Sequence, residues 1–250
     1  MTTSAALTVA IDGPGSSGKS SVGAAVAAEL GYRFCDTGLL YRAITWLALA
    51  RGIPETDAAG LIGLIEEIEL KPDAQQRLVR VAVGGRDVTD EVRGPDVDAR
   101  VSVFARVPEV RSALLVEQRR IAAGAGIVMA GRDIGTVVLP DADVKIYLDA
   151  SVEERARRRT GERGLRGDAD PDGAGAAKIL AQLRRRDDLD RGRAVAPLRP
   201  ADDAVVITTD GNTLGQTVAL VVAAIRSAGA RPGAVASAAA PPAGSRRAGR

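Results

Sequence analysis

Apolar residues in this chain come in short runs separated by longer stretches with a helical beat. Leu7–Ile11 is a compact apolar run that predicts a buried strand, and it breaks directly into a glycine-rich turn. Ser20–Leu30 is rich in Ala and free of Pro, which predicts a helix stopped by Gly31. The stretch "YRFCDTG" predicts a short strand ending in a turn. Leu39–Arg51 predicts a helix ended by Gly52 and Pro54, and Asp57–Glu67 a further helical segment. Between Glu69 and Arg93 the period changes. Leu78 and Arg80 alternate with Val79, Val81 and Val83, and Gly84-Gly85 supplies a turn, which is a hairpin signature. Val107–Ala123 returns to helix, and Gly126–Ala130 and Val144–Leu148 are two more buried strands. Ser151–Arg159 predicts a helix opened by a capping box, with Ser151 at the cap and Glu154 three residues on. A Gly- and Asp-rich loop over Gly161–Gly175, a helix over Ala176–Arg191, a strand over Ala204–Thr208 and a helix over Leu214–Ser227 complete the pattern.

Strands separated by helices imply an α/β fold with a doubly wound, mainly parallel sheet. The hairpin interrupts that alternation and is expected to form a small subdomain rather than another strand of the main sheet. From about residue 228 the chain is Ala, Gly, Pro, Ser and Arg without periodicity, so 228–250 is expected to be a disordered tail.

Composition narrows the function. The chain has 250 residues with 46% hydrophobic and only 2% aromatic content, so its core must be built from Ala, Val, Leu and Ile. A net charge of +2 is too balanced for a protein that holds duplex DNA on a broad basic face. No apolar span of membrane length and no basic leader are visible, and the single cysteine, Cys35, cannot form an internal disulfide; the expectation is a cytoplasmic protein with no membrane partner. There is no histidine, which excludes His-based metal sites and His general bases. Against thirty arginines there are four lysines, so the lysine at position 19 is itself informative.

Gly13-Pro14-Gly15-Ser16-Ser17-Gly18-Lys19-Ser20 matches the phosphate-binding pattern G-x-x-x-x-G-K-[ST], between a predicted strand and a predicted helix. Glycines let backbone N–H groups converge on phosphate oxygens, and the helix N-terminus favours anions. Lys19 would meet the β/γ-phosphates and the Ser20 hydroxyl would ligate Mg²⁺, with Ser21 extending the loop. The expected ligands are therefore ATP and Mg²⁺. P-loop proteins include kinases, switches and motors, so other residues must decide. "DTGLLYR" places Asp36 and Thr37 at a turn and Arg42 one helical turn on. "GRD" at 131–133 follows an apolar strand, where ligands gather in such sheets. If the helix reaches Arg193, then Arg186, Asp190 and Arg193 share one face, which suits a ligand with phosphate and ribose hydroxyls. The strand "GIVMA" ends in Gly-Arg-Asp rather than in a hydrolase-type Asp, which counts against a switch or motor.

Over residues 7–226 these motifs, in order, resemble the bacterial cytidylate kinases, a family of P-loop nucleoside monophosphate kinases. The residues that carry the resemblance are "IDGPGSSGKSS", "DTGLLYR", "GRDIGTVVLPDADVKIYLDAS", "ERARRR" and "RRRDDLDRGRAVAPL". The resemblance implies a three-layer α/β/α kinase domain over 5–227, with a monophosphate-binding insert over about 60–106 and a helical lid region over about 151–193. It implies transfer of the ATP γ-phosphoryl group to CMP or dCMP. Ser102, Arg111 and Asp133 would read the cytosine, Arg42, Arg132 and Arg193 would hold the monophosphate, and Arg186 and Asp190 the ribose and its surroundings. Arg157 and Arg158 would close over the transferring phosphates, so that the implied catalytic set is Lys19, Arg132, Asp133, Arg157 and Arg158. The chemistry is consistent: a carboxylate such as Asp133 accepts from the cytosine N4 amino group and Arg111 donates to N3 and O2, whereas the 4-carbonyl of uracil would oppose the carboxylate. Asp36 either orients water on Mg²⁺ or caps the following helix. Two other readings stand beside this one: a kinase for UMP, another nucleoside monophosphate or shikimate, and a P-loop NTPase that binds RNA through the arginines of 155–193. In that region acids are interleaved and stacking aromatics are absent. The expectation is a small-molecule kinase that acts as a monomer without nucleic acid.

Overall fold

The computed structural model describes residues 6–124, 126–165 and 175–230. Its elements in chain order are β1 (Thr8–Asp12), α1 (Lys19–Leu30), β2 (Arg33–Asp36), α2 (Gly38–Arg51), α3 (Ala58–Gly63), β3 (Ile68–Pro72), β4 (Arg77–Val83), β5 (Arg86–Asp87), α4 (Pro95–Phe104), α5 (Pro108–Ala122), β6 (Ile127–Ala130), β7 (Val144–Asp149), α6 (Val152–Leu165), α7 (Gly175–Arg191), β8 (Val205–Thr208) and α8 (Leu214–Gly229). A π-helical turn covers Ile134–Val138.

One eight-stranded sheet runs in the order β3-β4-β2-β6-β1-β7-β8, with β5 on β4. Pairings from β4 through β8 are parallel, and only β3 and β5 run antiparallel to β4. The central strands read as unbroken apolar runs because both their faces are covered. In β1, Val9 and Ile11 pack under α1 and α8 with Val22, Val26, Val221 and Ile225. Ala10, between them, faces the other layer with Ile127, Met129 and Ile121 of α5.

Several expectations are corrected. The hairpin at 77–87 forms and turns at Gly84-Gly85, but it is not separate from the main sheet: β4 continues it past β2, with Phe34 opposite Arg77 and Cys35 opposite Leu78. Local periodicity encodes the turn, not this long-range pairing. The segment 57–67 is a short α-helix followed by a 3₁₀ turn at Ile65–Glu67 rather than one helix. Helix α4 is an addition; Pro95 at its first turn and Val97, Val101 and Phe104 at helical spacing were its signal. Half of the capping box at α6 forms, with Glu154 N donating to Ser151 Oγ, but Ser151 N donates to Asp210 instead of Glu154. Residues 161–165 continue α6 rather than starting the Gly/Asp-rich loop, whose remainder at 166–174 lies outside the described residues. Helix α8 likewise runs to Gly229, past the expected start of the tail, and 231–250 lie outside the described residues.

Phe34 fills the space between α1 and the sheet so closely that a Cβ on Gly23 would lie 2.6 Å from its ring. Gly23→Ala is therefore expected to destabilise the protein by about 1–3 kcal/mol through overpacking. Combining it with Phe34→Leu should recover part of that loss, because the two sites share one space. Urea unfolding of the two single variants and the double variant measures this; strictly additive losses would contradict the packing described.

Candidate active site

The parallel sheet ends at a cleft of about 350 Å³ between the loop after β1, the turn after β6 and helices α2, α4, α5, α6 and α7. The loop after β1 can bend there because its backbone is unusual. Gly13 and Gly18 adopt φ of 150° and 94°, and Ser16 sits at φ 61°. A Cβ on Gly13 would lie 2.2 Å from the Leu148 carbonyl oxygen, so only glycine lets the loop pass β7. Gly15, Ser16, Gly18, Lys19, Ser20 and Ser21 line the cleft. Lys19 is buried at the start of α1 and its Nζ donates to the Pro14 carbonyl at 2.6 Å. Burial and the nearby Arg132 push its pKa well below the usual lysine value.

Asp36 joins the phosphate loop to the start of α2. Its Oδ1 accepts from Gly38 N at the start of α2, and its Oδ2 accepts from the Ser20 hydroxyl at 2.7 Å. Thr37 lines the cleft, but its hydroxyl donates to the Ala130 carbonyl and so ties α2 to β6.

Asp190 is the hub of the opposite wall. Ser102 Oγ donates to its Oδ1 at 2.8 Å, Arg132 Nε to its Oδ2 at 2.9 Å, and Arg193 to its Oδ1. Burial opposes its ionisation, but Arg132, Arg193 and Arg186 outweigh that and lower its pKa to about 2. Arg111 and Asp133 form a buried ion pair, and the Arg111 guanidinium also lies 5.3 Å from the Tyr41 ring centroid. Burial works against the Arg111 charge, yet Tyr41 and Asp133 hold its pKa above the usual value.

Arg42 pairs with Asp98 and donates to the Val92 carbonyl. Arg186 lies half-buried against Gly15, its Nε makes no hydrogen bond among the described residues, and the Asp98 carboxylate is 3.9 Å away. Burial, then Arg132 and Arg42, push its pKa well below the usual arginine value. Asp12, at the end of β1, is also buried; burial raises its pKa to about 6 against the opposing pull of two backbone N–H groups.

The cleft thus brings together Gly15, Ser16, Gly18, Lys19, Ser20, Ser21, Asp36, Thr37, Arg42, Ser102, Arg111, Arg132, Asp133, Arg186, Asp190 and Arg193. It does not bring Arg157 or Arg158 there. Arg157 is exposed and paired with Glu154. Arg158 also pairs with Glu154 and donates to the Thr209 hydroxyl and carbonyl. From the same helix the cleft takes Arg159, which pairs with Asp98, and Glu162. Sequence reasoning missed Arg159, Tyr41 and Asp98; the first stood in the quoted run "ERARRR", where only helical phase separates it from its neighbours.

The depressed Asp190 pKa has a thermodynamic consequence. A carboxylate lowered from 3.8 to about 2 stabilises the folded state above the unfolded value, and that stabilisation, on the order of 2 kcal/mol, is lost as pH falls through about 2. Asp190→Asn should therefore unfold more easily than the parent near neutrality, with a gap that narrows on acidification. Urea unfolding across a pH series measures the gap; a pH-independent gap would mean that the charge of Asp190 is not what the fold stabilises.

A cytidylate kinase family profile matches residues 9–227. Among similar proteins, a cytidylate kinase of Pelotomaculum thermopropionicum is 44% identical over 225 residues, which is 89% of this chain and 97% of that protein. One of Geobacillus kaustophilus is 46% identical over 214 residues, 85% of this chain and 93% of that protein. One of Rhodococcus opacus is 48% identical over 208 residues, 81% of this chain and 87% of that protein. With its P-loop and its buried Arg111–Asp133 pair opening on one cleft, the chain belongs to the cytidylate kinase family.

Proposed function

We propose that this chain transfers the γ-phosphoryl group of ATP to CMP or dCMP, giving ADP and CDP or dCDP. The observation that carries this reading is the shared cleft: the P-loop lines one end, and the buried Arg111–Asp133 pair with Ser102 lines the other. A P-loop alone would leave the acceptor open. A carboxylate that accepts from an exocyclic amino group, beside a guanidinium that donates to ring acceptors, matches the edge of cytosine and not that of uracil. On binding, the base would take over the hydrogen bonds that Arg111 and Asp133 now give each other.

In this reading the backbone amides of 13–21 and the Lys19 ammonium hold the donor phosphates. Arg42, Arg132 and Arg193 hold the acceptor monophosphate, and Asp190 fixes the last two while contacting the ribose. Arg186, which like Arg132 lies against Gly15, would stand where the two phosphate groups meet. Of the arginine run on α6, Arg159 is the one placed to face the transferring group; Arg158 lies beside Gly18 and backs the P-loop, and Arg157 would contribute only after a movement of α6. Alignment and charge neutralisation suffice for phosphoryl transfer, so no general base is assigned.

Mg²⁺ fits the donor set. The Ser20 hydroxyl and Asp36 carboxylate are hydrogen-bonded to each other beside the phosphate loop, and no group of three or more His, Cys, Asp or Glu that could cage an ion occurs among the described residues. One or two protein oxygens plus substrate phosphates is the usual Mg²⁺ environment. Ser20 would be its ligand and Asp36 would orient its water, and the bound ion would neutralise charge on the β- and γ-phosphates.

The same reading takes 5–227 as the catalytic unit, with 60–106 on the acceptor side and 151–193 as the lid. It also keeps the expectation of action as a monomer. No helix among the described residues is long and apolar enough to cross a membrane. The RNA-binding alternative is disfavoured because arginines of its region are engaged by carboxylates: Arg155 with Asp187, Arg184 with Glu153, Arg193 with Asp190.

Steady-state assay with ATP, Mg²⁺ and a panel of monophosphates tests the assignment. CMP and dCMP should exceed UMP and AMP in kcat/KM by about 10²-fold or more, because a site built to satisfy N4 leaves a buried polar group unpaired with uracil. Equal rates on UMP would sink the cytosine assignment. Lys19→Met should reduce kcat by about 10²-fold or more while leaving CMP binding by calorimetry intact; near-normal turnover would remove the P-loop from the mechanism.

A further inference from the structure

Asp12 lies just before Gly13 and is not part of the phosphate loop's lining. It is 3% exposed, and both of its carboxylate oxygens are engaged. Oδ1 accepts from Ile134 N at 2.8 Å and Oδ2 from Gly135 N at 2.7 Å. Those two amides begin the π-helical turn that directly follows Arg132 and Asp133. The parallel ladder between β1 and β6 ends at Gly131, whose N–H donates to the Ile11 carbonyl. Asp12 extends the grip of β1 on that segment by three residues, past the two side chains that face the cleft.

The other restraints on Arg132 and Asp133 come from elsewhere. The side chain of Arg132 is held by Asp190 on α7 and that of Asp133 by Arg111 on α5. In the reading above the base takes over the Arg111–Asp133 bonds and the ribose shares Asp190 with Arg132, so neither partner is free to fix the segment alone when nucleotide binds. The two bonds to Asp12 involve backbone amides and a carboxylate away from the ligand, and they can persist. Only a carboxylate presents two acceptors to two N–H groups; an amide offers one acceptor and turns an NH₂ donor toward the second N–H.

We propose that Asp12 is a positioning residue for acceptor recognition: its carboxylate clamps the Arg132–Asp133 segment in register with the phosphate loop that leaves the same strand. This rests on the reading that Asp133 recognises cytosine and Arg132 the monophosphate. The clamp links the donor half and the acceptor half of the site through one side chain, with no contact to either nucleotide.

Asp12→Asn keeps the shape of the side chain and removes one acceptor. It should raise KM for CMP about 10-fold to 100-fold and shrink the CMP:UMP ratio of kcat/KM, since a misplacement near 1 Å at a reacting site costs about that much. The dissociation constant for ATP should move by less than about 3-fold, because the P-loop amides and Lys19 are unchanged. A folded variant with KM for CMP and selectivity both unchanged would overturn the proposal. So would equal losses of ATP and CMP affinity, which would make Asp12 a support of the P-loop alone. Should the variant fail to fold, Gly135→Ala approaches the clamp from the other side: its Cβ would lie 3.4 Å from Asp12 Oδ2 and 3.1 Å from the Lys145 side chain. Raised KM for CMP with ATP affinity preserved in that variant supports the clamp, and an unchanged KM overturns it. Asp133→Asn in the same series separates the layers. If it keeps full CMP:UMP selectivity, the cytosine reading falls, while the KM and ATP-affinity readouts of Asp12→Asn still decide the clamp.

Discussion

Like charges crowded into one cleft are the constraint around which this protein is arranged. Lys19, Arg42, Arg132, Arg159 and Arg186 all line a space of about 350 Å³. Positive groups at such distances repel strongly once water is thinned out. The fold answers with carboxylates drawn from separate elements. Asp98 on α4 meets Arg42 of α2 and Arg159 of α6, with Arg186 of α7 nearby. Asp190 on α7 meets Arg132 after β6 and Ser102 on α4. Each counter-ion therefore also ties two or more elements together. The helices that surround the cleft are held as much by its electrostatics as by their apolar faces.

The sheet supplies the fixed side of that arrangement. Its parallel strands β2, β6, β1 and β7 end at one edge, so their following turns converge without any long connection. The turns are short because the approach is close: Gly13 passes the Leu148 carbonyl where no side chain would fit, and Thr37 and Gly131 are tied to Ala130 and Ile11 by backbone bonds. On the side of α6 and α7 a buried guanidinium adds to that arrangement. Arg155 donates to the Ala150 and Gly15 carbonyls and, through both Nη atoms, to Asp187. It joins α6, α7 and the phosphate loop in a place where apolar packing is limited to Ala156, Ile179 and Leu183 and their neighbours.

This division explains what could be read from the sequence. The strands β1, β6 and β7 were legible because burial on both faces leaves an apolar run, and helices α1 and α2 because Gly31 and Gly52 stop them in left-handed conformations. The P-loop was legible because its backbone demands specific residues. The union of β4 with β2 was not, since nothing in a local period says which distant edge a hairpin will join. Helix α4 was overlooked because three valines and a Gly-Pro pair lower local helix preference, and its stability comes from Val97, Val101 and Phe104 packed in the fold. That Arg159 lines the cleft, and Arg157 and Arg158 do not, is a matter of phase. Three adjacent arginines cover most of a helical turn, and only the inward anchoring of Arg155, one turn earlier, turns Arg159 toward the cleft.

The depressed basicities of Lys19 and Arg186 show how the two halves of the cleft act on each other. Both are lowered first by burial and then by Arg132. An anion that pairs with Arg132 removes part of the repulsion felt at Lys19, and an anion at Lys19 removes part of that felt at Arg186. In the proposed reading, each phosphate group would thus ease the binding of the other through charge. Lysine at position 19 suits that role. Its single ammonium fits beside the Pro14 carbonyl among converging amides, where a forked guanidinium would need more room. In a chain that uses arginine for thirty of its thirty-four basic residues, that fit is the physical reason one of the four exceptions falls there.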